Sequence, residues 1–433
     1  MDIMTNFNLK SSKPLDTRLS VNLLSDITSS SRYEGMIAYQ INDKTHYKYI
    51  DGTFVPLNSE VVSNVKKHPT SSISLTKLQP DGPKTGIKYL TKGWHDNVLY
   101  GHARTKLFRA ANIADPTTWE MGVDLFSTYG VMIHMHVSNK GIVMLMKATG
   151  ANVKVWYTPD IFTVPTLRHE FILSPTTDTI NGGMGASGHS NGVNDYLFAV
   201  QYGFGLYERK AFMSTDLGQT WTTIYTQAIF NNNPEINNHI HAIKYDPFEN
   251  RIWIGLGDSE NSGIVWSDDM GVTWNGDRSL HQPTLIHPFA KRVAFGRDSD
   301  TKVPGIDEYY REDYTDSMVG FVPKSSLNFR EDQISPRYYP SMQITGFGDV
   351  LYIIFYARGQ YAEDQYIYAT GDGGSSWHLV FHSSQVSGQP HLRNYCSQVT
   401  ADGKLAFVLN DPTDAVGMEE CLVYCDALEW VQD

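Results

Sequence analysis

A short motif recurs along the chain, and its spacing is the feature that most limits what the chain can fold into. The pattern is Ser or Thr, any residue, Asp, any residue, Gly, two further residues and Trp. Its three intact copies are Ser214-x-Asp216-x-Gly218-x-x-Trp221, Ser267-x-Asp269-x-Gly271-x-x-Trp274 and Thr370-x-Asp372-x-Gly374-x-x-Trp377. The aspartates are 53 and 103 residues apart, and the second step is close to twice the first. The chain is therefore expected to consist of repeated units of about 52 residues.

Extrapolating this period predicts further, weaker copies of the motif. Asp160 lacks the Gly and the Trp, Trp119 follows a longer turn, and Asp426 belongs to a shortened copy. The copy that the period places near residue 320 has no recognisable motif. Residues 85–433 then hold about seven units, with six as the alternative, because about 350 residues are divided into units of about 52.

Each motif is expected to form a tight turn between two strands. An Asp side chain accepts hydrogen bonds from backbone N–H groups of a turn, and Gly supplies a position with positive φ. Apolar or alternating stretches precede the motifs at 195–201, 251–256 and 350–356, and such stretches are typical of strands. A unit of about 50 residues with about four strands has the size of a propeller blade. The sequence therefore predicts an all-β fold, a β-propeller of about seven four-stranded blades.

The three intact motifs resemble the Asp-box, or BNR, repeat of sialidases and many other β-propellers. Residues 239–274, HIHAIKYDPFENRIWIGLGDSENSGIVWSDDMGVTW, are similar to a complete blade of that family. The resemblance implies that each motif lies in the turn between the third and fourth strands of its blade. It also implies that the motif is a structural element at the rim, away from the ligand-binding face.

Composition and charge exclude several other classes of protein. Lys and Arg number 35 against 47 Asp and Glu, and the net charge of −12 provides no electrostatic footprint for nucleic acid. The longest apolar run, 350–357, is far shorter than the roughly 20 residues that membrane insertion requires. The N-terminus lacks the basic and apolar segments of a secretory signal. Cys396, Cys421 and Cys425 lack zinc-site spacing, so we expect free thiols.

Residues 1–60 contain no motif and predict a small β-rich module. The stretch 33–57 alternates as three short strands around turns at 42–44 and 51–52. The sequence of this segment, PLDTR at 14–18 followed by YEGMIAY at 33–39, resembles the N-terminal modules of bacteriophage tail and appendage proteins. That resemblance implies attachment to other virion proteins, a virion location after synthesis in the host cytoplasm, and a homo-oligomer. Residues 61–84 are expected to be a linker or the lead-in to the first blade.

A second periodicity involves histidines. His136, His189 and His241 are 53 and 52 residues apart, and His391 lies 150 residues further on. His134 and His239 extend two of these positions to His-x-His pairs. This spacing places both rings of a pair on one face of a strand. Because each position falls at the first strand of its unit, we predict that these histidines line the central channel and bind a transition metal or an anion. The alternative is that repeat ancestry alone leaves the same residue at each site.

Sialidase-type hydrolysis is the enzymatic alternative that the resemblance implies. That chemistry uses three arginines to bind a carboxylate, a Tyr–Glu pair as the nucleophile and an Asp as acid and base. The Arg-Ile-Pro signature of many sialidases does not occur in the sequence, although Tyr207-Glu208-Arg209 brings three of the residue types together. The arginines in suitable positions are Arg104, Arg168, Arg209, Arg292, Arg337 and Arg393.

The function favoured by these observations is that of a bacteriophage virion appendage, a tail-fibre or receptor-binding protein. Its propeller would recognise a glycan of the host cell envelope through polar and aromatic loops on the face opposite the motifs. Several copies per virion would add avidity. A sialidase-type glycoside hydrolase is the second hypothesis, and a structural collar or baseplate protein is the third. No catalytic residue is assigned, because a fold does not dictate a function.

Overall fold

β-Strands are the dominant regular element of the chain. The computed structural model describes residues 87–311 with gaps at 97, 104, 113–114, 126–128, 148–151, 183, 204, 206, 229–238, 258–261, 278–281 and 298–304, and residues 350–382 with gaps at 358–364, 372 and 376. Elsewhere it describes only the strands given below. Within these residues Pro116–Thr118 forms a short 3-10 turn. No helix in the described part of the chain is long and apolar enough to cross a membrane.

The first of two units comprises residues 1–68 and 429–433. Its four-stranded sheet consists of β1 (Ser20–Val21), β2 (Ile37–Gln40), β3 (Thr45–Ile50) and β4 (Thr53–Pro56). β1 is parallel to β2, and the other pairs are antiparallel. The residues at 42–44 and 51–52, for which the sequence predicts turns, lie outside the described residues, between the ends of β2, β3 and β4 in the sequence. A two-stranded pair is formed by β5 (His68–Pro69) and β35 (Trp430–Val431).

The second unit, residues 69–428, is built from seven antiparallel sheets. Four of them follow one another along residues 87–277. Blade 1 is β7 (Ile87–Lys92), β8 (Leu99–Ala103), β9 (Lys106–Ala110) and β10 (Trp119–Asp124); blade 2 is β11 (Val131–Ser138), β12 (Gly141–Lys147), β13 (Val153–Thr158) and β14 (Thr166–Phe171); blade 3 is β16 (Ala186–Ser190), β17 (Asp195–Tyr202), β18 (Arg209–Ser214) and β19 (Thr222–Gln227), with β15 (Thr179–Ile180) beside β17; blade 4 is β20 (His239–Asp246), β21 (Arg251–Gly257), β22 (Gly263–Ser267) and β23 (Asn275–Asp277).

Three further sheets complete the unit. Blade 5 is β24 (Pro283–Pro288), β25 (Arg292–Arg297), β26 (Gly305–Tyr310) and β27 (Lys324–Asn328); blade 6 is β28 (Tyr338–Phe347), β29 (Val350–Ala357), β30 (Gln365–Thr370) and β31 (His378–His382); blade 7 is β32 (His391–Val399), β33 (Leu405–Asn410), β34 (Glu420–Cys425) and β6 (Leu75–Leu78). Blade 5 lies where the sequence has no recognisable motif, so a complete blade forms without one.

These sheets form a closed β-propeller. The first strand of each blade contacts the first strand of the next, and β32 of blade 7 contacts β7 of blade 1. The strands that the structure describes therefore form a ring of seven blades, which agrees with the expected number of about seven. The first strands surround the central channel, where the sequence analysis expected the first strand of each unit.

The last blade contains strands from both ends of the propeller sequence. Its outermost strand is β6, which pairs antiparallel with β34 from Leu75 opposite Cys425 to Leu78 opposite Leu422. β6 lies within residues 61–84, which the sequence predicts as a linker or lead-in, so part of that segment belongs to the sheet. This pairing joins a strand from the start of the propeller to its last blade. It thereby prevents the first and last blades from separating.

The hydrophobic core lies between successive blades. Five clusters of buried side chains occupy the interfaces from blades 1 and 2 to blades 5 and 6. Each cluster takes residues from both neighbouring sheets: Met144 of blade 2 packs with Leu107 of blade 1, and Ile252 of blade 4 packs with Phe198 of blade 3. Blades 1 to 6 therefore bury apolar side chains against their neighbours.

The two ends of the blades define two faces of the propeller. In an antiparallel four-stranded blade the connections between strands 1 and 2 and between strands 3 and 4 lie at one end. The intact motifs occupy the connections between strands 3 and 4 of blades 3, 4 and 6, as the sequence predicts, so we call this end the motif face. The connections between strands 2 and 3, and between successive blades, lie on the opposite face.

We predict that the ring depends on β6. A variant beginning at residue 85, the start that the motif spacing suggests, would leave β34 as an unpaired edge. Its melting temperature should lie about 5 °C or more below that of a variant beginning at residue 69, measured by scanning calorimetry. Equal melting temperatures would show that β6 does not stabilise the ring.

Candidate functional site

The two fully described motifs form the same hydrogen-bonded turn. In blade 3 the Ser214 hydroxyl donates to Asp216 Oδ1 (2.8 Å) and accepts from the Gly218 N–H (2.9 Å). Asp216 also accepts from the backbone N–H (2.9 Å) and the hydroxyl (2.6 Å) of Thr220. Ser267, Asp269, Gly271 and Thr273 make the equivalent contacts in blade 4. In blade 6 Thr370 accepts from the Gly374 N–H (2.9 Å), whereas Asp372 lies outside the described residues.

Each motif glycine also lies very close to a residue of the preceding blade. Gly218, Gly271 and Gly374 have φ values of 81°, 95° and 90°, which L side chains rarely adopt. A Cβ atom would lie 2.7 Å from Val155 of blade 2 at Gly218, and 2.7 Å from Ile224 of blade 3 at Gly271. Only glycine therefore allows the turn to approach the neighbouring sheet this closely.

The motif tryptophans pack into the same interfaces. Trp221 lies against the cluster of blades 2 and 3, Trp274 against that of blades 3 and 4, and Trp377 against that of blades 5 and 6. The Trp274 indole N–H lies 2.7 Å from the Ile224 carbonyl oxygen and 3.1 Å from that of Gly271. The motif thus joins a blade to the blade before it.

Two arginines that the sequence analysis considered for a sialidase site hold these turns. Arg168 donates to the carbonyl oxygens of Asp216 (3.1 Å) and Leu217 (3.2 Å), and its guanidinium lies 3.6 Å from the centroid of the Tyr157 ring. Arg292 pairs with Glu308 (3.1 Å) and donates to Ser375 (2.8 Å) beside the motif glycine of blade 6. Both therefore make inter-blade contacts.

The third described arginine, Arg209, is part of a buried polar network on the opposite face of blade 3. Its Nε lies 2.8 Å from Asp178 Oδ2, and the two side chains are 0% and 1% exposed. Gln201 donates to Asp178 Oδ2 (2.7 Å) and to the Ser174 carbonyl oxygen (2.9 Å). Burial raises the pKa of Asp178 and lowers that of Arg209, while their mutual attraction opposes both shifts. The network fixes the connection into blade 3 against β17 and β18.

An exposed tyrosine lies directly above this network. Tyr207, in the connection between β17 and β18, is 49% exposed, and the Arg209 guanidinium lies 5.4 Å from the centroid of its ring. Glu208 beside it is also exposed. An aromatic ring held over a rigid polar support, next to a carboxylate, is suited to stacking against a sugar ring. Of the other predicted arginines, Arg104, Arg337 and the side chain of Arg393 lie outside the described residues.

The predicted channel histidines lie on first strands but occupy separate environments. His239 and His241 are buried on β20, with their Nε2 atoms 2.8 Å apart, and His239 Nδ1 lies 3.3 Å from the Gly203 carbonyl oxygen. On β11, His136 Nε2 lies 3.0 Å from Asp195 Oδ1, and the Asp195 carboxylate also pairs with Lys140 (3.0 Å). These contacts link blades 2, 3 and 4 around the channel.

Two further histidines of the set are close to aromatic rings. His134 Nδ1 accepts a hydrogen bond from, or donates one to, the Tyr89 hydroxyl (3.2 Å). His189 on β16 lies between Trp94 and Tyr245, with centroid distances of 4.8 Å to each. The side chain of His391, at the start of β32, lies outside the described residues. Among the described residues no group of three or more His, Cys, Asp or Glu side chains is arranged to hold a metal ion.

The sequence analysis missed two channel residues, His287 and Lys244. His287 on β24 lies 104 residues before His391, which is twice 52, so the same period could have located it. Lys244 follows His241 on β20 and has no counterpart in the period. Asp178 was also missed, because a single Asp in a connection carries no recognisable signal.

Comparisons with known proteins support the fold but assign no family. No known protein family matches the chain, and no curated protein matches it. The GH74 enzyme of Niastella koreensis is similar in structure, with a TM-score of 0.50 and 13% identity over 80% of this chain and 55% of that chain. The chain thus spans about half the length of that enzyme. At this identity the likeness shows the β-propeller fold alone.

Two other solved structures are less similar. The β-propeller domain of Cps50 (Swd1) from Myceliophteria thermophila has a TM-score of 0.48 at 10% identity, over 82% of this chain and 99% of that chain. The subtype N11 neuraminidase-like protein of A/flat-faced bat/Peru/033/2010 (H18N11) has a TM-score of 0.39 at 10% identity, over 83% of this chain and 95% of that chain. Both scores are lower than the first, so the fold assignment depends on the sheets of the chain itself.

We predict that Gly271→Ala destabilises the propeller more than Gly192→Ala. Both glycines have positive φ, 95° and 84°, but a Cβ at Gly192 would meet no atom within 4 Å. Gly192→Ala should cost about 1 kcal/mol, from backbone strain alone, and Gly271→Ala about 3 kcal/mol, because Ile224 must also move. Urea unfolding measures both values. Equal losses would mean that the close approach to blade 3 has no energetic effect.

We predict that Asp269 contributes stability that depends on pH. Hydrogen bonds from the Thr273 side chain and backbone lower the pKa of Asp269 to about 2. A carboxyl group with a lowered folded-state pKa stabilises the fold above its unfolded pKa, and this contribution is lost as pH falls from about 4 to 2. The difference in melting temperature between the wild type and Asp269→Asn should therefore narrow over this range. A constant difference would exclude the ionised carboxylate as its source.

Proposed function

We propose that this chain is a receptor-binding protein of a bacteriophage virion whose propeller binds a glycan of the host cell envelope without cleaving it. The observation that carries the proposal is the aromatic platform at Tyr207 on the opposite face. Half of that side chain is exposed, while the Arg209–Asp178 ion pair beneath it is buried. A preorganised ring loses little conformational freedom when a sugar stacks on it.

The arginines support binding rather than sialidase-type hydrolysis. A carboxylate clamp would need three guanidinium groups directed into one pocket. Of the candidates described, Arg168 and Arg292 hold motif turns of the following blade, and Arg209 is paired with Asp178. These three side chains belong to different structural contacts and do not form such a clamp.

The N-terminal unit supports the assignment to a virion. Residues 1–68 have a sheet of their own, which is the organisation expected of an attachment module followed by a display domain. In this proposal the module binds other virion proteins, the protein is a homo-oligomer, and its copies add avidity for the glycan. The hydrogen-bonded motif turns support membership of the Asp-box propellers, in which the motif is structural.

We predict that Tyr207→Ala reduces retention of the protein on host cell envelopes by about tenfold or more, because stacking on an aromatic ring contributes about 1.5 kcal/mol. Phe162→Ala is the matched control, since Phe162 is 54% exposed but lies in the connection between β13 and β14 on the motif face. The measurement is co-sedimentation with purified envelopes, with released reducing sugar and sialic acid assayed in the same samples.

The outcomes separate the hypotheses. Retention of the wild type without released sugar, lost in Tyr207→Ala and kept in Phe162→Ala, supports a non-catalytic glycan-binding face around Tyr207. Release of sugar would overturn the proposal in favour of a glycoside hydrolase. An absence of retention would favour a structural virion component, and equal retention of both variants would place binding elsewhere on the propeller.

A further inference from the structure

The indole of Trp94 lies half exposed on the motif face, beside the central channel. Trp94 belongs to the connection between β7 and β8 of blade 1 and is 47% exposed. Its ring centroid lies 4.8 Å from that of His189, in an edge-to-face arrangement, and 6.5 Å from that of His136. Because these histidines belong to the first strands of blades 3 and 2, the indole of blade 1 contacts the inner strands of two further blades.

Hydrogen bonds fix the connection that carries Trp94. The backbone N–H of Trp94 donates to the carbonyl oxygen of Val137 in blade 2 (3.0 Å). Asp96 accepts hydrogen bonds from the backbone N–H of Val98 (3.0 Å) and from the hydroxyl of Tyr100 (2.7 Å). A ring presented by a fixed connection loses little conformational freedom when a ligand packs against it.

The support behind the indole is also fixed. His136 is buried, and its Nε2 atom lies 3.0 Å from Asp195 Oδ1. The second oxygen of the Asp195 carboxylate lies 3.0 Å from Nζ of Lys140. The indole is therefore held against ordered side chains on one side while about half of its surface is open to solvent.

Polar side chains surround Trp94 on the motif face. We use the name inner connections for residues 93–98 of blade 1, 139–140 of blade 2 and 191–194 of blade 3, each of which joins the first strand of its blade to the second. The inner connections of blades 2 and 3 are linked, because the side-chain amide of Asn139 donates to the Gly192 carbonyl oxygen (3.2 Å). Apart from Trp94 and Val193, the exposed side chains of their described residues are all polar or charged: His95, Asp96, Asn139, Lys140, Asn191 and Asn194.

This composition favours a carbohydrate over a protein surface as the ligand. A protein interface buries a contiguous apolar core within a polar rim. A sugar ring instead needs one aromatic face for its C–H groups and polar side chains around it for its hydroxyl groups. A single indole among short polar connections matches the second description.

The charges near the indole favour a neutral sugar. Lys140, the lysine of the inner connections, is already paired with Asp195. The Asp96 carboxylate lies two residues from Trp94 in the same connection, and it would repel the carboxylate of an acidic sugar.

We propose that Trp94 forms a carbohydrate-binding site on the motif face, whose ligand is a neutral pyranose ring of an oligosaccharide. The sugar ring stacks on the exposed part of the indole, and polar side chains of the inner connections supply hydrogen bonds to its hydroxyl groups. The site is separate from the Tyr207 platform, which lies on the opposite face, and it does not depend on the virion role proposed above. A propeller with both sites binds sugars at both ends of its channel.

The test is a titration of the full-length chain carrying Tyr207→Ala, which removes the platform on the opposite face. The probes are N-acetylchitotriose and maltotriose, two neutral oligosaccharides, and binding is followed by ligand-observed NMR. At least one probe should bind with a dissociation constant of about 1 mM or lower. Adding Trp94→Ala should raise this constant about tenfold or more, whereas Trp94→Phe, which keeps an aromatic ring, should raise it less.

Two further variants keep the test specific. Phe162→Ala is the matched control, because it removes an exposed ring from the motif face but lies in the connection between the third and fourth strands of blade 2. It should leave the dissociation constant unchanged. Trp94→Leu keeps an apolar side chain against His189 if Trp94→Ala does not fold, and it should weaken binding equally because leucine has no aromatic face.

The outcomes distinguish this site from the Tyr207 platform. Binding in the Tyr207→Ala background that is weakened by Trp94→Ala and kept in Phe162→Ala supports the site. Equal dissociation constants with and without Trp94 would overturn it. Binding by the wild type that disappears in Tyr207→Ala would also overturn it, while supporting the platform on the opposite face. The absence of binding by either protein up to about 10 mM of both probes would overturn it as well, and envelope retention would still decide the function proposed above.

Discussion

The packing of each blade against its neighbours is the interaction on which the rest of the structure depends. A four-stranded sheet exposes two faces, and neither is buried until another sheet covers it. The repeat motif is placed to serve this requirement, since its glycine approaches the preceding blade and its tryptophan enters the shared cluster. Arg168 and Arg292 reach in the other direction, from one blade to the motif turn of the next. The motif therefore recurs in the sequence because the same kind of interface recurs between successive blades.

A ring of such interfaces is stable only if the last blade meets the first. β32 of blade 7 contacts β7 of blade 1, and β6 from the start of the propeller completes the sheet of blade 7. This closure constrains the chain globally, whereas each motif acts locally. A propeller can therefore lose recognisable motifs, as in blade 5, provided that neighbouring sheets still cover its faces and the ring is closed.

The sequence predicted the features that follow from local chemistry. The turn between β18 and β19 could be located because Ser214, Asp216 and Gly218 each have a fixed role in it. The number of blades followed from the period. The contribution of β6 could not be predicted, since its partner β34 lies more than 340 residues away and a four-residue strand carries no distinct pattern. The partners of Arg209 and His136 were missed for the same reason, because Asp178 and Asp195 are distant in sequence.

The roles of the buried arginines follow from one electrostatic argument. A buried charge must be paired, neutralised or given a ligand, because its desolvation cost exceeds what packing alone supplies. Arg209 and Arg297 are paired inside their own blades, so their guanidinium groups are already committed to carboxylates. The charges of Arg209 and Arg297 therefore stabilise individual blades, whereas Arg168 and Arg292 join neighbouring blades.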